Sequence, residues 1–244
     1  GILVVSGPAG SGKSTTAYAM LNELNMAGKN IITVEDPIQY RLDFASQLTR
    51  SQDKNVPFDD TVRAVLRQHP GVLLCGDVRT SDTGVGAVEA ALNGILVIAT
   101  IIATDSIGTI FRFADLGIPP GRLAASFVGV VHQRLLRKIC PQCSAEYEPA
   151  FIPPRIAALE PDRRKFLRGS GGASCNNTGY FDRTPVREVL IISDRIQEIL
   201  FKEISIGRIR EAAVADGFVD IQTVAAKRVL EGLTTIDDYL RVVG

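Results

Sequence analysis

The sequence predicts an α/β fold, a parallel or mixed sheet flanked by helices. Two observations carry this. Short runs of consecutive apolar residues alternate with stretches of helical periodicity, the pattern of strands buried on both faces and their crossover helices. The segment Gly7-Pro8-Ala9-Gly10-Ser11-Gly12-Lys13-Ser14-Thr15 also fits the phosphate-binding loop pattern G-x-x-x-x-G-K-[ST], set between a strand and a helix. The chain has 244 residues, room for one large domain or one plus a small appendix. Lys+Arg and Asp+Glu balance at 27 each, so there is neither a global basic field suited to nucleic acid nor an acidic excess suited to disorder.

In chain order, Ile2-Leu3-Val4-Val5 reads as the first strand, feeding the loop. Its glycines let the backbone turn tightly and aim N–H groups at a phosphate chain. Lys13 adds a point charge for the outer phosphates, and Ser14 a hydroxyl for magnesium, which takes hard oxygen ligands. The helix expected over 16–26 adds its positive dipole end; Ala17, Met20, Leu21 and Leu24 give it an apolar face, and Gly28 stops it. Ile31-Ile32-Thr33-Val34 is the next strand, delivering Glu35 and Asp36 at its C-terminal end before Pro37 breaks pairing. Ligands in open α/β sheets sit at such strand ends, so the two acids suit magnesium or water; on sequence alone they read equally as solvated strand-end acids.

Residues 36–57 look irregular. A helix is expected over 58–68, with Val62, Val65 and Leu66 inward and Arg63 and Arg67 sharing an exposed face, by themselves a solvated surface. Val72-Leu73-Leu74-Cys75 is a strand ending in Gly76-Asp77-Val78-Arg79, where Asp77 reads as the second magnesium-site acid and Cys75 as core. A helix over 81–93, with Val85, Val88 and Leu92 on one side, precedes a strand over 95–100, and another helix over 106–116 ends at Pro119-Pro120. The apolar run 95–103 is about half a membrane span and reads as a central strand. Residues 123–138 run from apolar to basic, with Arg134, Arg137 and Lys138; His132 reads as a packed or surface residue rather than a ligand.

Cys140-Pro141-Gln142-Cys143 is a C-x-x-C, half of a zinc pattern, but the second half offers only Cys175 after Gly172-Ala173-Ser174. A three-cysteine site is left to be completed by His, Asp or water, or stays empty. With 4 cysteines in a chain of this size there is no disulfide framework, and a reduced, cytosolic setting fits. Residues 144–174 look loop-rich and mobile, with a basic cluster at Arg163-Arg164-Lys165. Short helices follow from Asp194, and Thr235-Ile236-Asp237-Asp238 resembles a capping box with Asp in place of Glu. The expected organisation is a core over 1–138, a cysteine-containing subdomain over 139–184 and a C-terminal helical subdomain over 185–244. The start at Gly1, inside a strand, reads as an excerpt whose N-terminal domains lie upstream.

Taken together, these segments resemble the secretion-ATPase family, the hexameric motors of type II secretion and type IV pilus assembly, along essentially the whole chain. Residues 7–15 resemble its Walker A motif, residues 32–40 its Asp box, residues 65–79 its Walker B region, and residues 133–143 with 175–180 its cysteine region. The resemblance implies the P-loop, RecA-like version of the fold, a cytoplasmic ATPase peripheral to the bacterial inner membrane, and platform and adaptor proteins as partners. It implies that Gly7, Pro8, Ala9, Gly10, Ser11, Gly12, Lys13, Ser14 and Thr15 hold ATP and that Ser14 and Asp77 serve magnesium. Glu35 would activate the attacking water. Arg63, Arg67 and Arg79 would meet the phosphates, some across a subunit boundary. Cys140, Cys143 and Cys175 would bind zinc.

Three positions depart from the family pattern. Its Gly-Glu-Ile-Arg has Asp77 for Glu, its His box has Ile102 for His, and Gly172 stands where a fourth cysteine is usual. Ile102 can neither donate nor shuttle a proton, and a displacement of about 1 Å, such as a methylene lost at Asp77, can cost on the order of a hundredfold in rate. These departures predict a divergent member with slow or altered hydrolysis. The competing reading is a nucleotide-binding assembly subunit with little or no turnover. A third, a DNA-translocating motor, is disfavoured by the neutral charge and the cysteine region.

Overall fold

The computed structural model describes residues 1–25, 28–49 and 58–244, without the side chains of residues 58–60 and 63. A seven-stranded sheet contains β1 (Ile2–Ser6), β2 (Ile31–Glu35), β3 (Ser46–Thr49), β4 (Val72–Cys75), β5 (Leu96–Ile101), β6 (Phe127–Ile139) and the last strand, β9 (Tyr180–Ile191). A second, two-stranded sheet pairs β7 (Ser144–Tyr147) antiparallel with β8 (Phe166–Gly169). The large sheet runs β3-β2-β4-β5-β1-β6-β9, and the pairs of β1 with β5 and β6, of β2 with β3 and β4, and of β4 with β5 are parallel.

Parallel neighbours need crossovers, supplied by α1 (Lys13–Asn25), α2 (Phe58–Leu66), α3 (Ser81–Leu92), α4 (Ser106–Asp115) and α5 (Pro120–Ser126). Ile32, Val34, Leu73, Cys75, Val97, Ala99 and Ile101 face one apolar cluster, and Ile31, Val72, Leu74 and Ile98 face another against α1. The period of two thus splits each apolar run between two covered faces. Helix starts carry capping chemistry: Thr80 and Thr83 form a capping box on α3, and Asp105 accepts from the Gly108 N–H at 2.7 Å on α4. Of the residues read as sharing one side of α3, Val88 is buried and Leu92, at the helix end, is exposed.

The contacts divide the chain into two compact units. Gly1–His132 with Val189–Phe218 forms one; Gln133–Glu188 with Val219–Gly244 forms the other. The stretch 185–244, expected as one helical subdomain, is shared between them. α7 (Asp194–Lys202) and α8 (Ile206–Ala215) bury Ile196, Ile199, Leu200, Ile209, Ala212 and Ala213 in the first unit's core, while α9 (Ile221–Leu230) and α10 (Ile236–Val243) contribute Ala225, Val229, Ile236 and Tyr239 to the second.

Several segments differ from expectation. Within the stretch read as irregular, Ser46–Thr49 is an edge strand, polar and largely exposed, so it carries no apolar pattern to read. Residues 123–139 hold the end of α5 and the long β6. The region read as loop-rich contains β7, β8 and α6 (Pro154–Leu159). At α10 the Thr235 hydroxyl accepts from the Asp238 N–H at 3.0 Å, but the Asp238 side chain does not close the box. It is fully buried and accepts instead from the Arg137 N–H at 2.7 Å and from the Arg137 and Arg241 guanidiniums. A buried charge is tolerable only with such partners. Among the described residues, no helix is long and apolar enough to cross a membrane.

Phe113 is fully buried and meets Phe127 edge-to-face, ring centroids 5.0 Å apart. Replacing Phe113 by Ala is expected to destabilise the first unit by about 3–5 kcal/mol, read from the urea midpoint by circular dichroism.

Candidate functional site

The parallel register brings the ends of β1, β2, β4 and β5 to one edge: Ser6 lies opposite Ile101, Cys75 opposite Ala99, and Val34 opposite Cys75. The loop 7–12 leaves β1 at that edge. Gly10 and Gly12 sit at φ of 72° and 83°, in the left-handed region. A Cβ on Gly10 would meet nothing within 4 Å, so conformation rather than space requires that glycine. The Thr16 N–H reaches the Gly12 carbonyl at 3.0 Å, closing the first turn of α1. The amides that a first turn leaves without helical acceptors are the anion-binding donors the motif needs.

Lys13 folds back on the loop, its Nζ donating to the Gly7 carbonyl at 3.0 Å and the Pro8 carbonyl at 2.8 Å. Burial lowers the Lys13 pKa; the Asp77 carboxylate opposes that shift and the Arg79 guanidinium adds to it. The side chains at 13, 77 and 79 therefore share one electrostatic site.

Asp77 follows β4 with φ of 55°, a left-handed conformation that Asp tolerates better than most residues. Thr100 pins it: the Asp77 N–H donates to Thr100 Oγ1 at 2.7 Å and the Val78 N–H to the Thr100 carbonyl at 2.7 Å. Asp77 Oδ2 accepts from Arg79, whose pKa is raised by this partner. Asp77 Oδ1 is buried with no hydrogen-bond partner among the described residues. An acceptor in that state, beside a phosphate loop, fits magnesium or a molecule of its water shell.

Glu35 ends β2 and is 5% exposed. Its Oε1 accepts from Thr33 Oγ1 at 2.7 Å and Gln47 Nε2 at 3.4 Å, and its Oε2 from the Tyr18 hydroxyl. A Cβ on Gly76 would lie 3.1 Å from Glu35 Cγ, so that glycine leaves the acid its place between β2 and β4. Asp36, the other acid of the pair, is exposed.

Among the remaining expected residues, Ser14 is half-buried and Thr15 exposed in the first turn of α1. Arg67 is exposed just beyond α2, and the Arg63 side chain lies outside the described residues. Ile102 is 51% exposed at the end of β5. His132 is packed, as expected: it is buried, with Nδ1 3.1 Å from Ser6 Oγ, which accepts from Thr109 Oγ1 at 2.8 Å. Cys75 is core, its thiol pushed up to about 12 by burial. Sequence reasoning missed Tyr18, Thr33, Gln47 and Thr100. Thr33 was reachable, because two positions along a strand return to the same face. Nothing local marks the other three.

The second unit holds the cysteines. The sulfurs of Cys140, Cys143 and Cys175 lie within 4.8 Å of one another, a group able to hold a metal ion. The turn is built by backbone: the Cys143 N–H donates to the Cys140 carbonyl at 3.3 Å and the Gly179 N–H to Cys175 Sγ at 3.3 Å. Burial pushes the Cys143 thiol up. Burial also pushes Cys175 up, but hydrogen bonds from the Gly179 N–H and the neighbouring thiols outweigh it and hold that thiol below its ordinary value. A Cβ built on Gly172 meets nothing within 4 Å.

The family model for Type II/IV secretion system protein matches residues 1–241. The chain is 38% identical over 243 residues to Type II secretion system protein E of Pseudomonas aeruginosa, covering 99% of this chain and 48% of that protein. It is 33% identical over 243 residues to the Type IV pilus assembly ATPase PilB of Thermus thermophilus, covering 98% and 27%. The solved structure of the pilus retraction motor PilT with bound ADP matches with a TM-score of 0.71 at 26% identity, covering 99% of this chain and 60% of that one. The chain spans about half the length of its type II relative. With the fold, the loop and the strand-end acids all in place, the chain belongs to the Type II/IV secretion system protein family.

Proposed function

We propose that this chain is the ATP-binding and hydrolysing motor domain of a type II secretion or type IV pilus assembly machine, working as a hexamer at the cytoplasmic face of the bacterial inner membrane. Platform and adaptor proteins are its partners. One observation carries the reading: the phosphate loop, the orphaned oxygen of Asp77 and the buried carboxylate of Glu35 belong to strand ends at the same edge of one sheet. The amides of residues 10–15 and the Lys13 ammonium take the β- and γ-phosphates, with Lys13 exchanging two carbonyl oxygens for phosphate oxygens. Ser14 and Asp77 would hold magnesium, which supplies charge neutralisation on the phosphates. Glu35 takes a proton from a water placed in line with the γ-phosphate as the water oxygen bonds to the γ-phosphorus; the bond to the β,γ-bridging oxygen breaks, and ADP and inorganic phosphate leave. Arg79 releases Asp77 to meet phosphate, and Arg63 and Arg67 do so within or across a subunit boundary. In this reading the three-cysteine cluster takes zinc, a soft-ligand structural site.

A second reading, an assembly subunit that binds nucleotide with little or no turnover, draws on the half-exposed Ile102 where the family resemblance expects histidine.

Phosphate release in magnesium and ATP separates the two. Turnover abolished by Lys13→Ala, and by Glu35→Gln with nucleotide binding retained, is the expected result; tight binding without release favours the second reading. For the metal, Gly172→Cys places a thiol in open space beside Cys175 and is expected to tighten zinc binding at least tenfold, measured by competition with a chromophoric chelator.

A further inference from the structure

The carboxylate assigned above as the base is gripped from three directions. Tyr18 on α1 donates its phenol to Glu35 Oε2, while Thr33 and Gln47 donate to Oε1 at 2.7 Å and 3.4 Å. Tyr18 is 6% exposed. Its oxygen is fixed in turn, accepting from the Gln39 N–H at 3.2 Å, and its ring meets the Tyr40 ring edge-on at 5.7 Å. Burial, then the bond to Glu35, raises the Tyr18 pKa, so the phenol stays a donor at working pH. With a backbone amide occupying its acceptor side, the hydroxyl hydrogen points at the carboxylate. Tyr18 also shares α1 with Lys13, so one helix carries both the phosphate-binding ammonium and the group that orients Glu35.

We propose that Tyr18 is a positioning residue for hydrolysis, its hydroxyl fixing the Glu35 carboxylate relative to the phosphate loop. The proposal rests on the reading of Glu35 as the base. An ionised carboxylate offers about four acceptor sites, so three protein donors leave one for water. Without the phenol, Oε2 loses its buried donor and the carboxylate turns about its own side-chain bonds, away from a single productive orientation.

The test compares variants of the purified protein with magnesium and ATP. Tyr18→Phe keeps the ring against Tyr40 and removes only the hydroxyl. The expected result is a kcat lowered about 10–100-fold with the KM for ATP and the Kd of a fluorescent nucleotide analogue unchanged. Thr33→Val is expected to lower kcat in the same way and Thr33→Ser to restore it. The double variant Tyr18→Phe/Thr33→Val should lose less than the product of the two single losses, because both act through one carboxylate. A merely structural role would move KM, Kd and Tm together with kcat. Wild-type or raised kcat in Tyr18→Phe overturns the proposal; if that variant does not fold, Thr33→Val with an unaltered kcat overturns it instead. Glu35→Gln run alongside separates the two levels: normal turnover there, or none in the wild type, sinks the base itself, whereas a dead Glu35→Gln beside a normal Tyr18→Phe sinks only the positioning role.

Discussion

Everything at the site depends on parallel pairing. β1 lies between β5 and β6, and β4 between β2 and β5, all in a register that ends four strands at one edge. Parallel strands require crossovers, and α1 is one of them. The same constraint that places α1 over the sheet therefore starts that helix at the edge where Glu35 and Asp77 emerge. Backbone bonds across the edge tighten it: the Gly76 N–H donates to the Val34 carbonyl at 2.9 Å, and Thr100 grips both Asp77 and Val78.

The acids at this edge are held differently, and the difference suits different tasks. Glu35 has donors on both oxygens and little contact with solvent. Asp77 has one oxygen paired to a largely exposed arginine and the other paired to nothing among the described residues. A gripped carboxylate keeps one orientation; a half-satisfied one is ready for a further ligand.

Much of this was legible from local pattern. The loop signature and the strand runs each depend on a few neighbouring residues, and the structure places them as expected; the caps Thr80 and Asp105 are just as local, though the sequence reading passed over them. The α2 inward face at Val62 and Val65 was readable for the same reason. What sequence could not supply was pairing at a distance. Ser46–Thr49 is a strand because β2 offers it an edge, not because its own residues favour one. Tyr18 meets Glu35 across two elements, and Asp238 leaves its capping role because Arg137, far away in sequence, takes its oxygens. The division of the C-terminal helices between two units has the same origin: their apolar faces were visible, but not which core each would enter.

The back-folded ammonium of Lys13 has a consequence for how a ligand is received. Bound to the carbonyls of Gly7 and Pro8, it acts as an internal strut across the curl of the chain. The loss of backbone freedom is then borne during folding rather than at docking. On the proposed reading, a phosphate would exchange one set of oxygens around this cation for another. Selectivity at the rim would then follow charge: a neutral visitor has nothing with which to displace the strut.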